Sequence, residues 1–161
     1  MLRFVVGLAE WLQNTPMAKS VGGSDWAYPF VQLTHFTGLS LWLGTSVAVD
    51  LRLLGVGKGT PKASRLSDAL FGWNWVGFGI AVTGGFLLFS ISAERYVLNA
   101  AFRTKLGILL PLALASHIVV QQKARAWSEP PEPPMVAKLM SSLELLLWLS
   151  VTTAAVSIPY F

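Results

Sequence analysis

The chain has no cysteine, which excludes disulfides, thiolate metal sites, iron–sulfur clusters and covalently attached haem together, since each needs cysteine sulfur. Charge is scarce as well: 12% of the 161 residues are charged, against about 25% in an ordinary soluble domain. Four methionines (Met1, Met17, Met135, Met140) are too few and too scattered to form the thioether ladder that soft copper ions favour. No phosphate-binding loop or activated nucleophile is visible. The basic residues form no clustered stripe on a soluble face, so nucleic acid is not an expected partner.

What remains is apolar. Hydrophobic residues make up 53% of the chain and mean hydropathy is +0.56, so lipid must cover much of the surface. The net charge of +4 then points to anionic lipid headgroups. The expectation is an all-α protein, an integral membrane four-helix bundle forming one domain over residues 1–161. Its spans run over about 26–54, 69–92, 99–122 and 136–158, each long enough for the roughly 20 residues that cross hydrocarbon. Residues 1–21 carry a broken apolar pattern (Leu2, Phe4, Val5, Leu8, Trp11, Leu12), which suits an interfacial helix retained in the mature protein. Ser24 or Asp25 can cap the first span, Ala93–Leu98 reads as a short loop, and the Pro-rich linker Ser128–Pro134 cannot continue a helix.

Orientation follows from basic residues near the span ends. Arg52, Lys58, Lys62, Arg65, Lys123, Arg125 and Lys138 fall on the face opposite the termini, against Arg3, Lys19, Arg95, Arg103 and Lys105 on the terminal face. This excess places the termini in the periplasm. Trp26, Tyr28, Tyr96 and Tyr160 at one level, with Trp73, Trp75 and Trp127 at the other, fit two aromatic belts.

Ionisable residues inside spans are costly and mark function. His35 lies roughly 13 Å into its span at 1.5 Å per residue, beyond snorkelling to water. It is either satisfied by a neighbouring threonine or backbone carbonyl, or it is a metal or haem ligand. Gly38, with Gly84 and Gly85 on the second span, could form a porphyrin slot, although small-residue helix packing explains the same glycines. Arg103 and Lys105 stand at the level of His35 and match haem propionates. His117 is the other candidate ligand, but an axial offset of roughly 13 Å argues against a haem shared with His35 unless the kink expected at Pro111 closes the gap. Separate sites, a five-coordinate haem or a ligand from a second copy in a homo-oligomer are the alternatives. Asp50 and Arg52, with His117 and Glu144, form a second polar cluster. There a carboxylate beside an imidazole can relay protons, whereas Asp50 with Arg52 reads as a helix staple. Glu144 is expected to face the bundle interior.

The stretches Trp26-Ala-Tyr-Pro-Phe30, His35-Phe-Thr-Gly38, Asp50-Leu-Arg-Leu-Leu-Gly55 and Phe102-Arg-Thr-Lys-Leu106 resemble an uncharacterised family of small bacterial four-helix membrane proteins. More distantly, the chain is similar to membrane protoporphyrinogen oxidases and to copper-resistance membrane domains. The oxidases have a first-span histidine associated with haem b and a later Lys-Leu followed by histidine, echoed here by His35, Lys105-Leu106 and His117. Their usual Pro-Arg-Leu is absent, Asp50-Leu51-Arg52 standing instead. The resulting expectation is a non-covalent haem b protein of the bacterial inner membrane, passing electrons among membrane or periplasmic redox proteins, with His35 as iron ligand. Oxidation of a porphyrin precursor, or a cofactor-free copper-handling or accessory subunit, are the alternatives.

Overall fold

The computed structural model describes residues 2–57, 62–128 and 132–160. It is all-helical, with no strand among the described residues. Helix α1 covers Leu2–Gln13, α2 Pro16–Gly22, α3 Ala27–Leu53, α4 Ala63–Ile91 and α5 Ala93–Leu98. Then α6 (Ala100–Thr104) runs through a π-helical segment, Lys105–Leu109, into α7 (Leu110–Trp127), and α8 covers Met135–Ser157. Lys58 and the Glu129-Pro130-Pro131 part of the linker lie outside the described residues.

Three helical stretches are long and apolar enough to cross a membrane: Ala63–Ile91, Ala100–Trp127 and Met135–Tyr160. Helix α3 has 27 residues, but Gln32, His35, Asp50 and Arg52 interrupt its apolar run, and it does not join them. The outside of these helices is apolar, with Phe71, Val82, Phe86, Leu112, Leu146, Leu149 and Val156 exposed, while Asp50, Asn74, His117 and Glu144 are buried. Such an arrangement suits lipid as the surrounding solvent, because an ionisable group facing acyl chains is penalised.

The amino-terminal segment corrects the expectation of one helix over 1–21. Pro16 has no N–H to donate to a continuing helix, and Thr15 accepts a hydrogen bond from Ala18 N at 3.3 Å, so α2 starts afresh there. Helix α1 packs against α5 and α4, and α2 against α3 and α4. Ser24 Oγ accepts from Ala27 N at 3.1 Å, but the N-cap position of α3 is Trp26 rather than the expected Ser24 or Asp25, and it makes no side-chain capping bond. The supposed loop Ala93–Leu98 is itself helical.

Helix α4 starts at Ala63 rather than near 69, and α7 continues to Trp127 rather than near 122. Ser64, Arg65 and Asp68, like Lys123 and Arg125, end an apolar run without ending a helix. Beyond the apolar stretch the two helices remain tied by Arg125 Nη2 to Asp68 Oδ2 at 2.9 Å, an exposed pair worth at most about 1 kcal/mol. Pro111 cannot donate to the turn before it, and the expected distortion takes the form of the π segment at Lys105–Leu109.

Helices α3 and α4 share the most extensive interface, and α7 and α8 close the structure against them. The α3–α4 contact is made by glycine. A Cβ at Gly38 would lie 2.5 Å from Ala81 N and 2.9 Å from Gly77 O, and one at Gly77 would lie 2.7 Å from Trp42 N. These backbones therefore touch directly. The interior holds two apolar clusters, one of Trp42, Ala113 and Trp148 and the other of Val49, Leu53, Ala63, Val120, Ala124 and Ala137. Trp75, assigned above to an interfacial belt, instead turns inward and meets Phe78 and His117, whereas Trp73 stays exposed.

Candidate functional site

The two histidines occupy different places and are held in different ways. His35, half-buried on α3, sets Nδ1 2.7 Å from the carbonyl of Ala81 on α4. A carbonyl can only accept, so Nδ1 carries the proton and Nε2 presents its lone pair. Among the described residues no hydrogen bond reaches Nε2. Both sequence readings of this histidine are therefore compatible: a backbone carbonyl satisfies one nitrogen and leaves the other free to ligate.

The glycines around His35 do not form an open slot. A Cβ at Gly84 would meet His35 Cβ at 2.9 Å and one at Gly85 would meet Cε1 at 2.9 Å, so the histidine itself fills that space. Gly38 is taken up by the α3–α4 contact one turn further on. Of the two cations expected at this level, Lys105 lies within electrostatic range of His35 and places Nζ 5.1 Å from the Phe102 ring centroid, while Arg103 is exposed. Lys105 begins the π segment, a distortion frequent at functional sites.

The second centre is built on Asn74. The hydroxyls of Thr45 and Ser46 donate to the Trp42 carbonyl, each at 2.9 Å, so each accepts from Asn74 Nδ2, at 2.8 and 2.9 Å. That fixes the amide, and Oδ1 faces His117 Nε2 at 3.0 Å. Nε2 therefore carries a proton. On the other side, His117 Nδ1 lies 2.7 Å from Glu144 Oε1, which also accepts from Trp148 Nε1 at 3.2 Å. One proton lies on the Nδ1–Oε1 line, held by the imidazolium or by the carboxyl. Trp42 and Trp75 stand edge-on to the imidazole with ring centroids 6.0 Å away, and Trp148 at 6.5 Å.

His117, the second candidate metal ligand, thus has both nitrogens engaged in hydrogen bonds. It could bind iron only by abandoning Asn74 or Glu144. Its contact with Trp42 sets it seven residues along α3 from His35, roughly 10 Å at 1.5 Å per residue, so the two imidazoles do not face one another across a haem. Glu144 points inward as expected and is 1% exposed. The Asp50–Arg52 staple is not formed: Asp50 has no hydrogen bond, and Arg52 Nη1 donates to the carbonyls of Val56 and Gly57. No group of three or more metal-ligating side chains occurs among the described residues.

Neither Asn74 nor the inward tryptophans Trp42 and Trp148 are singled out in the sequence reading, which places Trp75 in an interfacial belt. Their signal is Trp73-Asn74-Trp75, an amide in the middle of a span where no surface is wet. No curated protein and no solved structure matches the chain. A family model described as a family of unknown function (DUF6644) matches residues 9–160, and the chain belongs to that family.

Proposed function

We propose that the chain is a four-helix bundle of the bacterial inner membrane that binds haem b and passes electrons to membrane or periplasmic partners, with His35 as axial ligand. The carrying observation is the tautomer of His35: Nδ1 is committed to the Ala81 carbonyl at 2.7 Å and Nε2 is free. Neutral imidazole held through its other nitrogen is the usual axial ligand. Lys105 provides a cation for a propionate at the same level. Haem supplies reversible one-electron chemistry when bound; the chain's own part is to orient the imidazole and keep water away. In this reading α3 crosses the bilayer beside the three apolar spans, and α1, with Trp11 and Phe4 exposed, lies in the interface.

Wild-type protein purified in mild detergent is expected to show a Soret band that sharpens and shifts on dithionite reduction. His35→Ala abolishes it and His117→Ala retains it. A colourless wild type, made with ample haem and eluting as one monodisperse species, overturns the reading in favour of a cofactor-free accessory subunit.

Topology is tested separately. The basic residues near α3, α4 and α7 ends support a reading with both termini in the periplasm, under which a reporter active only in the cytoplasm, fused after Phe161, should be silent. Activity there reverses the orientation and places His35 in the cytoplasmic half.

A further inference from the structure

Asp50 is fully buried and both of its carboxyl oxygens lack a hydrogen-bond partner. Glu144, 1% exposed, uses Oε1 but leaves Oε2 unpartnered. The two carboxyls feel one another's charge, and Ser141, whose buried hydroxyl is also unpartnered, adjoins Asp50. Buried polar atoms are almost always satisfied by protein, water or a bound ion, so three orphaned carboxyl oxygens on two neighbouring acids imply something held there.

We propose that Asp50, Glu144 and His117 form an occluded proton-binding site that holds two exchangeable protons inside the helix bundle. The count follows from charge. With His117 neutral through Nε2–H, the two carboxylates carry two negative charges in an interior where isolated charge is very costly. One proton lies between His117 Nδ1 and Glu144 Oε1, and a second on Asp50 or on Glu144 Oε2 brings the cluster to neutrality.

The buried polar groups linked to Asp50 on α3, His117 on α7 and Glu144 on α8 are Asn74 on α4, bonded to His117, Ser46 on α3, bonded to Asn74, and Ser141 on α8, beside Asp50. Cations on these helices point elsewhere. Arg52 donates to loop carbonyls, Arg125 pairs with Asp68 at the surface, Arg65 and Lys123 are exposed, and Lys138 stands in the first turn of α8. An apolar plug closes each end. Trp42, Ala113 and Trp148 lie on one side, with Val49, Leu53, Ala63, Val120, Ala124 and Ala137 on the other. Protons so enclosed exchange with water only when a plug opens.

Infrared difference spectroscopy of the full chain in lipid vesicles, in H2O and after transfer to D2O, tests this. At neutral pH the wild type should show a carboxylic-acid C=O band that moves down slowly in D2O. The band is lost in Asp50→Asn if Asp50 holds the second proton, or displaced in Glu144→Asp, which keeps a carboxyl, if Glu144 does. No such band in the wild type overturns the proposal, and sodium-dependent thermal stabilisation in its place would assign the site to a cation. A band unchanged in both variants also overturns it. Measuring the same band in the His35→Ala background separates this outcome from the haem reading.

Discussion

Glu144→Ala is expected to destabilise the folded chain by about 3–5 kcal/mol, the usual cost of removing one partner from a buried hydrogen-bonded charge pair. The substitution strands His117 Nδ1 and Trp148 Nε1, both of which now meet Oε1, and leaves a void beside these two rings. Asn74 cannot turn to compensate, because Thr45 and Ser46 hold its amide. The instructive partner is the double variant His117→Phe with Glu144→Leu, which removes both polar members and fills the space with apolar atoms. It should recover most of the loss, since replacing both partners is often near neutral. Denaturant or thermal unfolding in detergent measures both. A Glu144→Ala protein within about 0.5 kcal/mol of wild type, the range of an ordinary surface substitution, would mean that the pair contributes nothing.

Gly38→Leu should act as severely, through shape alone. The atoms in its way are Ala81 N at 2.5 Å and Gly77 O at 2.9 Å from the first carbon that it would add. They are backbone and cannot rotate aside, so α3 and α4 must separate. Overpacking a core costs about 1–3 kcal/mol, occasionally more, and a backbone obstruction belongs at the upper end. Separation also breaks the His35 Nδ1 contact with Ala81 at 2.7 Å, so the variant is expected to lose the Soret band together with stability. Gly44→Leu is the control. It lies on the same helix, and an added Cβ there meets nothing within 4 Å. Equal behaviour of the two variants would show that the glycine seam does not hold the fold.

Much of this architecture is legible in the sequence because hydropathy is a one-dimensional signal. The long apolar runs place α4, α7 and α8 and the polar breaks between them. Helix ends were misplaced where Arg65, Asp68, Lys123 and Arg125 stop the apolar run while the backbone continues to coil. The grouping of Asp50, His117 and Glu144 was also readable, since depth along antiparallel spans can be counted. What counting cannot give is rotation about each helix axis. Gly84 and Gly85 are at the right depth for a slot, yet they face His35 itself. Arg52, two residues from Asp50, points about 200° around the helix and reaches loop carbonyls instead. Hydrogen-bond direction is equally hidden. That one histidine keeps a free nitrogen and the other has both engaged depends on the directions of the Ala81 carbonyl and the Asn74 amide, which the sequence does not give.

The glycine seam between α3 and α4 also decides how anything could come to His35. With backbones in contact at Gly38 and Gly77, and with the imidazole resting on Gly84 and Gly85, the inner route is shut. Beside His35 on the same helix, Leu33 and Phe36 stand exposed. On the proposed reading, in which α3 crosses the bilayer, a molecule reaching Nε2 from this side travels sideways in the plane of the bilayer and dissolves in lipid first. In that setting encounter with this nitrogen is governed by partition and two-dimensional diffusion, and water-soluble ligands are screened out before any contact with the imidazole is made.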